Sequence, residues 1–344
     1  MASRLKKQAE HSKKRAGARR KLRPTALPYA LSPMDERTFG FPIRLAIGLA
    51  VTAATVTVLV AGFFGRRRRR AFPLHGWLGI VALVGAECIL FAGIDPVATW
   101  FTPIAWSAYI LIADAAVLAL TNRSRLHNAP VTLVRMALLS VPLWLIFEAY
   151  NLRLRNWTYV GVPRDWPAAI GGYAWAFATI TPAMFETSDL VQALLPALPV
   201  EPWKIPRAAE NVMMACGAVF LIVPLVVPQR MAADLFALVW LGFVLLLDPL
   251  NHRLRLPSFL GDLSDGFARR LYGFLASGWI CGWLWEFWNN WAHAKWHYTF
   301  PMFQQTKIFE MPAPGYLGFV PFALECFAMY VTSAWLAGWI KRVK

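Results

Sequence analysis

Apolar residues along this chain come in long runs, without the alternation of polar and apolar positions that marks the strands of a membrane β-barrel. Several runs reach the ~20 residues that a helix needs to cross the hydrocarbon core of a bilayer. Because lipid offers the backbone no hydrogen-bond partners, such segments are expected to be helical. We predict nine membrane-spanning helices, which lie near residues 42–64, 77–94, 104–121, 132–151, 170–195, 210–228, 231–249, 271–290 and 314–339.

Four short motifs occur twice, in the same order and at nearly constant spacing. The first copies are W-x-x-Y-x-x-x-x-D, E-x-x-N, W-x-Y and P-x-x-x-E, which begin at Trp106, Glu148, Trp157 and Pro182. The second copies, with Phe in place of the first Tyr, begin 134 to 139 residues later, at Trp240, Glu286, Trp296 and Pro321. Four matches in register indicate an internal duplication.

The duplication divides the chain into segments. Residues 71–200 form the first membrane repeat and residues 201–344 the second, while residues 41–70 contain a separate helix and an arginine-rich loop. The predicted fold is an all-α integral membrane protein of about nine transmembrane helices, with two tandem four-helix repeats after an N-terminal helix. Since four is an even number, both repeats should share one orientation, related by an axis along the membrane normal.

The net charge of +16 is concentrated in a few places. Residues 1–40 carry eleven Lys and Arg, and we predict a disordered, cytoplasmic-type basic tail. The run from Arg66 to Arg70 is a second basic segment. Anionic lipid headgroups are the expected partners of both, whereas nucleic acid is not expected because aromatic residues are not interleaved with the charges.

The basic loops also predict an orientation. The loops around residues 66–70, 123–125 and 253–270 fall on one side, which the positive-inside rule makes cytoplasmic. We therefore expect a multi-pass protein of the cell membrane, of the bacterial inner-membrane type. Nine simple spans would place the basic tail on the other side, so either the first helix does not cross simply or the number of spans differs by one.

Acidic residues in the apolar runs are the candidate chemistry, since each costs about 2.5–3.5 kcal/mol at the centre of a membrane helix. They are Glu87, Asp114, Glu148, Glu186, Asp248, Glu286 and Glu325. They either hold helices together or mark a functional site. We predict that Glu286, Glu325, Glu148 and Glu186 are catalytic, and that Asn289 and Asn151, one turn after a glutamate, orient the carboxyls.

Tryptophan is dense around the acid of the second repeat. The predicted substrate pocket is lined by Trp283, Trp288, Trp296 and Tyr298. Indole faces stabilise cations by up to ~2 kcal/mol when desolvated. A protonated carboxyl beside such faces suits the protonation of an alkene, and the second repeat is expected to supply most of the walls.

The order of motifs in the second repeat resembles the membrane lycopene cyclase and carotenoid hydratase group. Glu286 is followed by Trp296 and Tyr298 as W-x-Y, and then by Pro321 to Glu325 at the start of the next helix. The resemblance implies that Glu325, and Glu186 by the repeat, are acids with Glu286 and Glu148 as partners. The chain departs from the family pattern in its single glutamate after the proline, in Glu where the family has Asp at 286, and in four helices per repeat.

The leading hypothesis is an integral membrane enzyme that acts on an isoprenoid or other lipid by acid-catalysed isomerisation, cyclisation or hydration. One alternative is a proton-coupled small-solute transporter, because repeats with buried carboxyls also suit transport. Another is a non-catalytic membrane assembly or scaffold protein. We expect no cofactor and no metal, since His293 and His297 are too few for a metal centre.

Overall fold

The computed structural model describes residues 40–342, so the predicted basic tail lies outside the described residues apart from its last position. Nine helices of 18 or more residues follow one another in this range, and each begins within five residues of a predicted span. They are α1 (Gly40–Gly65), α2 (Leu74–Phe91), α3 (Phe101–Thr121), α4 (Pro130–Leu154), α5 (Trp166–Leu194), α6 (Arg207–Val226), α7 (Phe236–Arg253), α8 (Arg269–Trp291) and α9 (Tyr316–Leu336).

Six of these helices are long and apolar enough to cross a membrane, among the residues that the structure describes. They are α1, α2, α3, α4, α6 and α9. The fold is therefore that of an all-α membrane protein with several spans. The other three, α5, α7 and α8, are not among these six, and they carry Glu186, Asp248 and Glu286.

The two predicted repeats pack their helices in the same order. In the first repeat α2 packs on α3, α3 on α5, and α4 on α5. In the second, α6 packs on α7, α7 on α9, and α8 on α9, which is the equivalent arrangement. The largest helix contact between the repeats joins α5 to α8, so the fourth helix of one repeat meets the third helix of the other.

The bundle has two distinct ends. The loops that follow α1, α3, α5 and α7 meet at one of them: Arg69 N donates to Ala119 O at 2.8 Å, and Val200 N donates to Gly266 O at 3.0 Å. We call this the arginine end, because the basic loops of the sequence lie there. The opposite end, with the loops that follow α2, α4, α6 and α8, is the ribbon end.

The ribbon end is named for a feature that the all-helical prediction missed. Strand β1 (Trp157–Val160) follows α4 and pairs antiparallel with strand β2 (Lys295–Tyr298), which follows α8. In this register the Trp of each W-x-Y motif faces the Tyr of the other: Trp157 opposite Tyr298 and Tyr159 opposite Trp296. The duplicated motifs therefore pair with each other across the repeat boundary. A small hairpin, β3 (Lys307–Ile308) and β4 (Met311–Pro312), follows.

Helix α1 extends between the two ends. Near its start, Arg44 donates to the carbonyl of Gln305 at the ribbon end. Just beyond its last residue, Arg66 Nε donates to Leu194 O at 3.1 Å at the arginine end. The helix is continuous between these contacts.

Close contact between α8 and α9 depends on glycine. A Cβ on Gly278 would lie 2.3 Å from Phe319 O and 2.8 Å from Val320 Cα, both backbone atoms that have no room to give. Gly171, in contrast, has nothing within 4 Å of the equivalent position, although it also lies within a helix.

We expect Gly278→Ala to destabilise the protein by about 1–3 kcal/mol, the usual cost of overpacking. Gly171→Ala is the matched control and should be neutral or stabilising, because Ala favours a helix by about 1 kcal/mol over Gly. Thermal unfolding in detergent, followed by circular dichroism, measures both. Equal Tm values for the two variants would contradict the close packing of α8 on α9.

Candidate functional site

The carboxyl of Glu286 is bound by the strand that follows its own helix. Its Oε1 accepts hydrogen bonds from the Tyr298 hydroxyl at 3.0 Å and from the Trp296 indole N–H at 3.4 Å. One turn later, Asn289 Nδ2 donates to Trp296 O at 2.9 Å, and Trp296 N donates to Asn289 Oδ1 at 3.0 Å. The E-x-x-N motif of α8 therefore holds both the side chains and the backbone of β2.

The first repeat contains the same arrangement around Glu148. Its Oε1 accepts from the Trp157 indole at 3.1 Å and from the Tyr159 hydroxyl in a short hydrogen bond. Asn151 Nδ2 donates to Trp157 O at 2.9 Å, and Asn151 Oδ1 accepts from Trp157 N at 3.1 Å. Asn151 and Asn289 thus act on the strand backbone, and their effect on the carboxyls is indirect, through the residues that bind them.

The two acids differ in how fully they are satisfied. Glu148 Oε1 has a third donor, the Trp144 indole at 2.8 Å. The position equivalent to Trp144 in the second repeat is Gly282, so Glu286 has no such donor. Oε2 of Glu286 is buried and has no protein hydrogen-bond partner within residues 40–342. Glu286 therefore has one donor fewer on Oε1 and a buried Oε2 without a partner, whereas the three donors to the half-buried Glu148 all bind its Oε1.

An apolar cavity of about 100 Å³ lies between the two repeats, next to these carboxyl–strand contacts. One water-sized group needs roughly 10–15 Å³, so the cavity can hold several linked carbon groups. All four aromatic residues of the two W-x-Y motifs line it, with aromatic residues from the helices around them. Those helix residues are Trp100, Trp106, Trp144, Tyr173, Phe177, Phe236, Trp240, Trp285, Phe319 and Phe322.

The structure places the predicted pocket residues in two groups. Trp296 and Tyr298 line the cavity, whereas Trp283 and Trp288 do not. Trp283 stacks on Tyr316 with ring centroids 3.9 Å apart. The Trp288 indole donates to Glu87 at 3.4 Å. More of the lining comes from the first repeat than from the second, so the expectation that the second repeat supplies most of the walls was wrong.

Glu325 and Glu186 are also fully buried, but they are bound elsewhere. Glu325 Oε1 accepts from Phe243 N of α7 at 2.9 Å. Glu186 Oε1 lies 3.5 Å from Arg125 Nε, and Arg125 also pairs with Asp189 at 2.6 Å. No hydrogen bond or ion pair within residues 40–342 joins either of them to Glu148 or Glu286. The four predicted acids therefore form two different kinds of site.

Two further acids have a plain structural role. Asp114 accepts from Leu126 N at 2.8 Å, and Asp248 accepts from Phe259 N at 2.8 Å. Each thereby satisfies backbone N–H groups at the start of the short helix in the loop that follows, either Arg125–Asn128 or Phe259–Ser264. These two carboxyls hold loops in place at the arginine end.

His293 and His297 both lie beyond the end of α8. His297 lies in β2, and its Nδ1 is 2.7 Å from Glu310 Oε2. His293 precedes the strand, and its Nδ1 is 3.8 Å from Asp95 Oδ1. Among the residues that the structure describes, no group of three or more potential ligands could hold a metal ion.

Charge at the ribbon end is balanced around Glu310. Burial would raise the pKa of this carboxyl, but the hydrogen bond from His297 and the charges of His297, Lys307 and Lys295 outweigh burial and leave the pKa below its ordinary value. The Lys307 and Lys295 ammonium groups lie 3.6 and 3.8 Å from its oxygens.

Burial also raises the pKa of the Tyr159 and Tyr298 hydroxyls well above their usual range. Both tyrosines therefore keep their protons and remain donors at the cavity.

Comparison with known proteins adds no template for this site. No family model matches the chain, and it has no match among curated proteins or solved structures. The resemblance to the lycopene cyclase group rests on the motifs alone and stays a prediction.

The ion cluster at Glu310 predicts a pH-dependent stability. A carboxyl with a lowered folded pKa stabilises the protein above its unfolded pKa of about 4.5, and this contribution is lost as the pH falls through the lower folded value. We expect Glu310→Gln to lower stability at pH 7 by about 1.5–3 kcal/mol, as for a hydrogen bond to a charged group. The variant should also lose less stability than the parent between pH 5 and pH 3.

Thermal melts in detergent across this range check the prediction, with Glu201→Gln as the exposed control. Parallel stability curves for the parent protein and Glu310→Gln would count against it.

Proposed function

We propose that this protein is an integral membrane enzyme that acts on an isoprenoid or other lipid by acid-catalysed isomerisation, cyclisation or hydration. One observation carries the proposal. Two glutamates, the fully buried Glu286 and the half-buried Glu148, each bind the hydroxyl of a tyrosine that lines an aromatic, apolar cavity between the repeats. A proton source beside an apolar space is what an alkene substrate requires.

The proposed reaction begins with proton transfer. The Glu286 carboxyl gives its proton to the Tyr298 oxygen, while the hydroxyl releases its own proton to one carbon of the alkene. The π electrons form the new C–H bond, which leaves a carbocation on the neighbouring carbon. A hydroxyl hydrogen rotates freely enough to serve such a relay.

The cation then has three possible fates, each of which balances without an oxidant. Loss of a proton toward the other carboxyl, Glu148, gives an isomer. Attack by a second alkene of the same chain, followed by proton loss, gives a ring. Addition of water, followed by proton loss, gives an alcohol. In each case the proton is lost to Glu148, so before the next turnover Glu148 releases one proton and Glu286 takes one up, which restores the starting state.

The walls of the cavity suit such an intermediate. The indoles of Trp144, Trp285 and Trp296 lie next to the carboxyl–tyrosine pairs, and all three line the cavity. A cation within about 6 Å of an indole face is stabilised by up to ~2 kcal/mol when desolvated.

The alternatives fit these observations less well. A proton-coupled transporter needs a polar path, whereas this cavity is lined mainly by aromatic and aliphatic side chains. A scaffold role with acids as helix contacts fits Asp114 and Asp248, which bind loop backbone. It does not account for two carboxyls that each bind a tyrosine of the same cavity wall.

We further propose that α5, α7 and α8 cross the membrane with the six more apolar helices, in a bacterial-type cell membrane. The arginine end is then cytoplasmic by the positive-inside rule. Arg66 and the arginines after it lie at that end, where anionic headgroups would bind them. The cavity lies toward the opposite, ribbon end.

We expect Glu286→Gln to lower product formation at least about 100-fold, the scale of general-acid catalysis, while the protein stays folded. Glutamine keeps an oxygen that can accept from Tyr298 but has no acidic proton. The assay uses the purified protein in lipid with a linear polyene, supplied both as the hydrocarbon and with a terminal hydroxyl, and the products are separated by chromatography. Full activity in Glu286→Gln would reject the proposal.

Two companion variants decide which acids act together. Loss of product in Glu148→Gln supports the pair at the ribbon. Loss in Glu325→Gln, a substitution at an equally buried carboxyl that binds Phe243, supports the pairing predicted from the sequence. Loss of stability alone in all three would instead support a scaffold role.

A further inference from the structure

Two hydrogen-bond donors line the cavity without a protein partner. The Thr102 hydroxyl and the Trp106 indole N–H are buried, with side chains 6% and 3% exposed, and neither has an acceptor within residues 40–342. A buried donor without a partner costs about 1–3 kcal/mol. Whatever occupies the cavity is therefore expected to supply the acceptor.

The two donors form one local site. Thr102 and Trp106 are four residues apart on α3, which places them on the same face of the helix, one turn apart. The Trp106 ring is fixed by edge contacts with Trp288, Trp285 and Tyr109, at centroid distances of 4.9, 5.4 and 5.5 Å. Its N–H is thus held in one direction.

Three other hydroxyls of the lining residues already have partners. The Tyr298 hydroxyl binds Glu286, the Tyr159 hydroxyl binds Glu148, and the Thr99 hydroxyl binds Asp95 at 2.7 Å. The buried, unpartnered pair is therefore a polar point separate from these three hydroxyls.

This pair of a hydroxyl and an indole N–H occurs in the first repeat only. The positions equivalent to Thr102 and Trp106 in the second repeat are Phe236 and Trp240, and both also line the cavity. The cavity therefore has a hydroxyl, that of Thr102, on its first-repeat side. At the equivalent position the second repeat has the phenyl ring of Phe236.

We infer that the ligand of this cavity is an isoprenoid or lipid that carries a neutral oxygen, such as a hydroxyl or a carbonyl, bound by Thr102 and Trp106. The inference rests on the proposed function, because it specifies the substrate class of the same cavity. A buried anion would need a cation beside it. Lys295 also lines the cavity, but its ammonium donates to Asn290 O at 3.1 Å and lies 3.8 Å from Glu310.

The test compares two probes that share a carbon chain, the alcohol farnesol and the hydrocarbon farnesene. Each is equilibrated with the full-length protein in detergent, and the bound probe is extracted and quantified after gel filtration. We expect the parent protein to bind farnesol about fivefold tighter, which corresponds to one net hydrogen bond. The double variant Thr102→Val with Trp106→Phe should bind both probes within about twofold, through weaker binding of farnesol.

Controls separate the hydrogen bonds from general packing. Trp240→Phe removes the equivalent indole and should keep the preference for farnesol. Thr102→Ser retains the hydroxyl and should keep it as well, even if the double variant proves unstable.

Three results overturn the inference. The first is an undiminished preference for farnesol in the double variant. The second is equal binding of the two probes to the parent protein, which would mean that a water molecule accepts the hydrogen bonds of Thr102 and Trp106. The third is an equal loss of preference in Trp240→Phe. Binding of neither probe to folded parent protein would instead reject the proposed lipid-binding function as well.

Discussion

A buried carboxyl that accepts hydrogen bonds from the strand following its own helix is the interaction on which the ribbon end depends. Glu148 and Glu286 each bind the Trp and the Tyr of a W-x-Y strand, and Asn151 and Asn289 hold the strand backbone. The strands, fixed in this way, pair with each other and join the two repeats. The same indoles and phenols then form a wall of the cavity, so the contacts that hold the repeats together also place acids beside an apolar space.

Differences between equivalent positions of the two predicted repeats explain why the site is not symmetric. Trp144 binds Glu148, whereas the equivalent position in the second repeat is Gly282, which packs closely against Phe319. Thr102 on the first-repeat side is replaced by Phe236 on the other. Glu286 therefore has one donor fewer than Glu148, and one wall carries the unpartnered Thr102 hydroxyl. Two identical repeats would present the same side chains on both sides of the cavity.

The helices could be predicted because lipid permits few backbone structures. The strand pairing could not, since four-residue strands give too short a pattern and their partners lie on opposite repeats. In the sequence, Trp106 and Trp240 stand out only as the first residues of a repeated motif, and nothing there indicates that they line a cavity. Whether an indole lines a cavity, as Trp296 does, or stacks on a neighbouring ring, as Trp283 does, depends on how two repeats pack together.

The most direct test of the account is to identify what the cavity holds in purified protein. Lipid extraction and mass spectrometry would compare the parent protein with Ala176→Phe, which fills the cavity, and with Val134→Phe, which adds the same ring on an exposed helix face. The account predicts an apolar, oxygen-bearing isoprenoid or lipid retained in near-stoichiometric amount by the parent and by Val134→Phe, and lost from Ala176→Phe. Equal lipid content in all three proteins, or none in the parent, would contradict it.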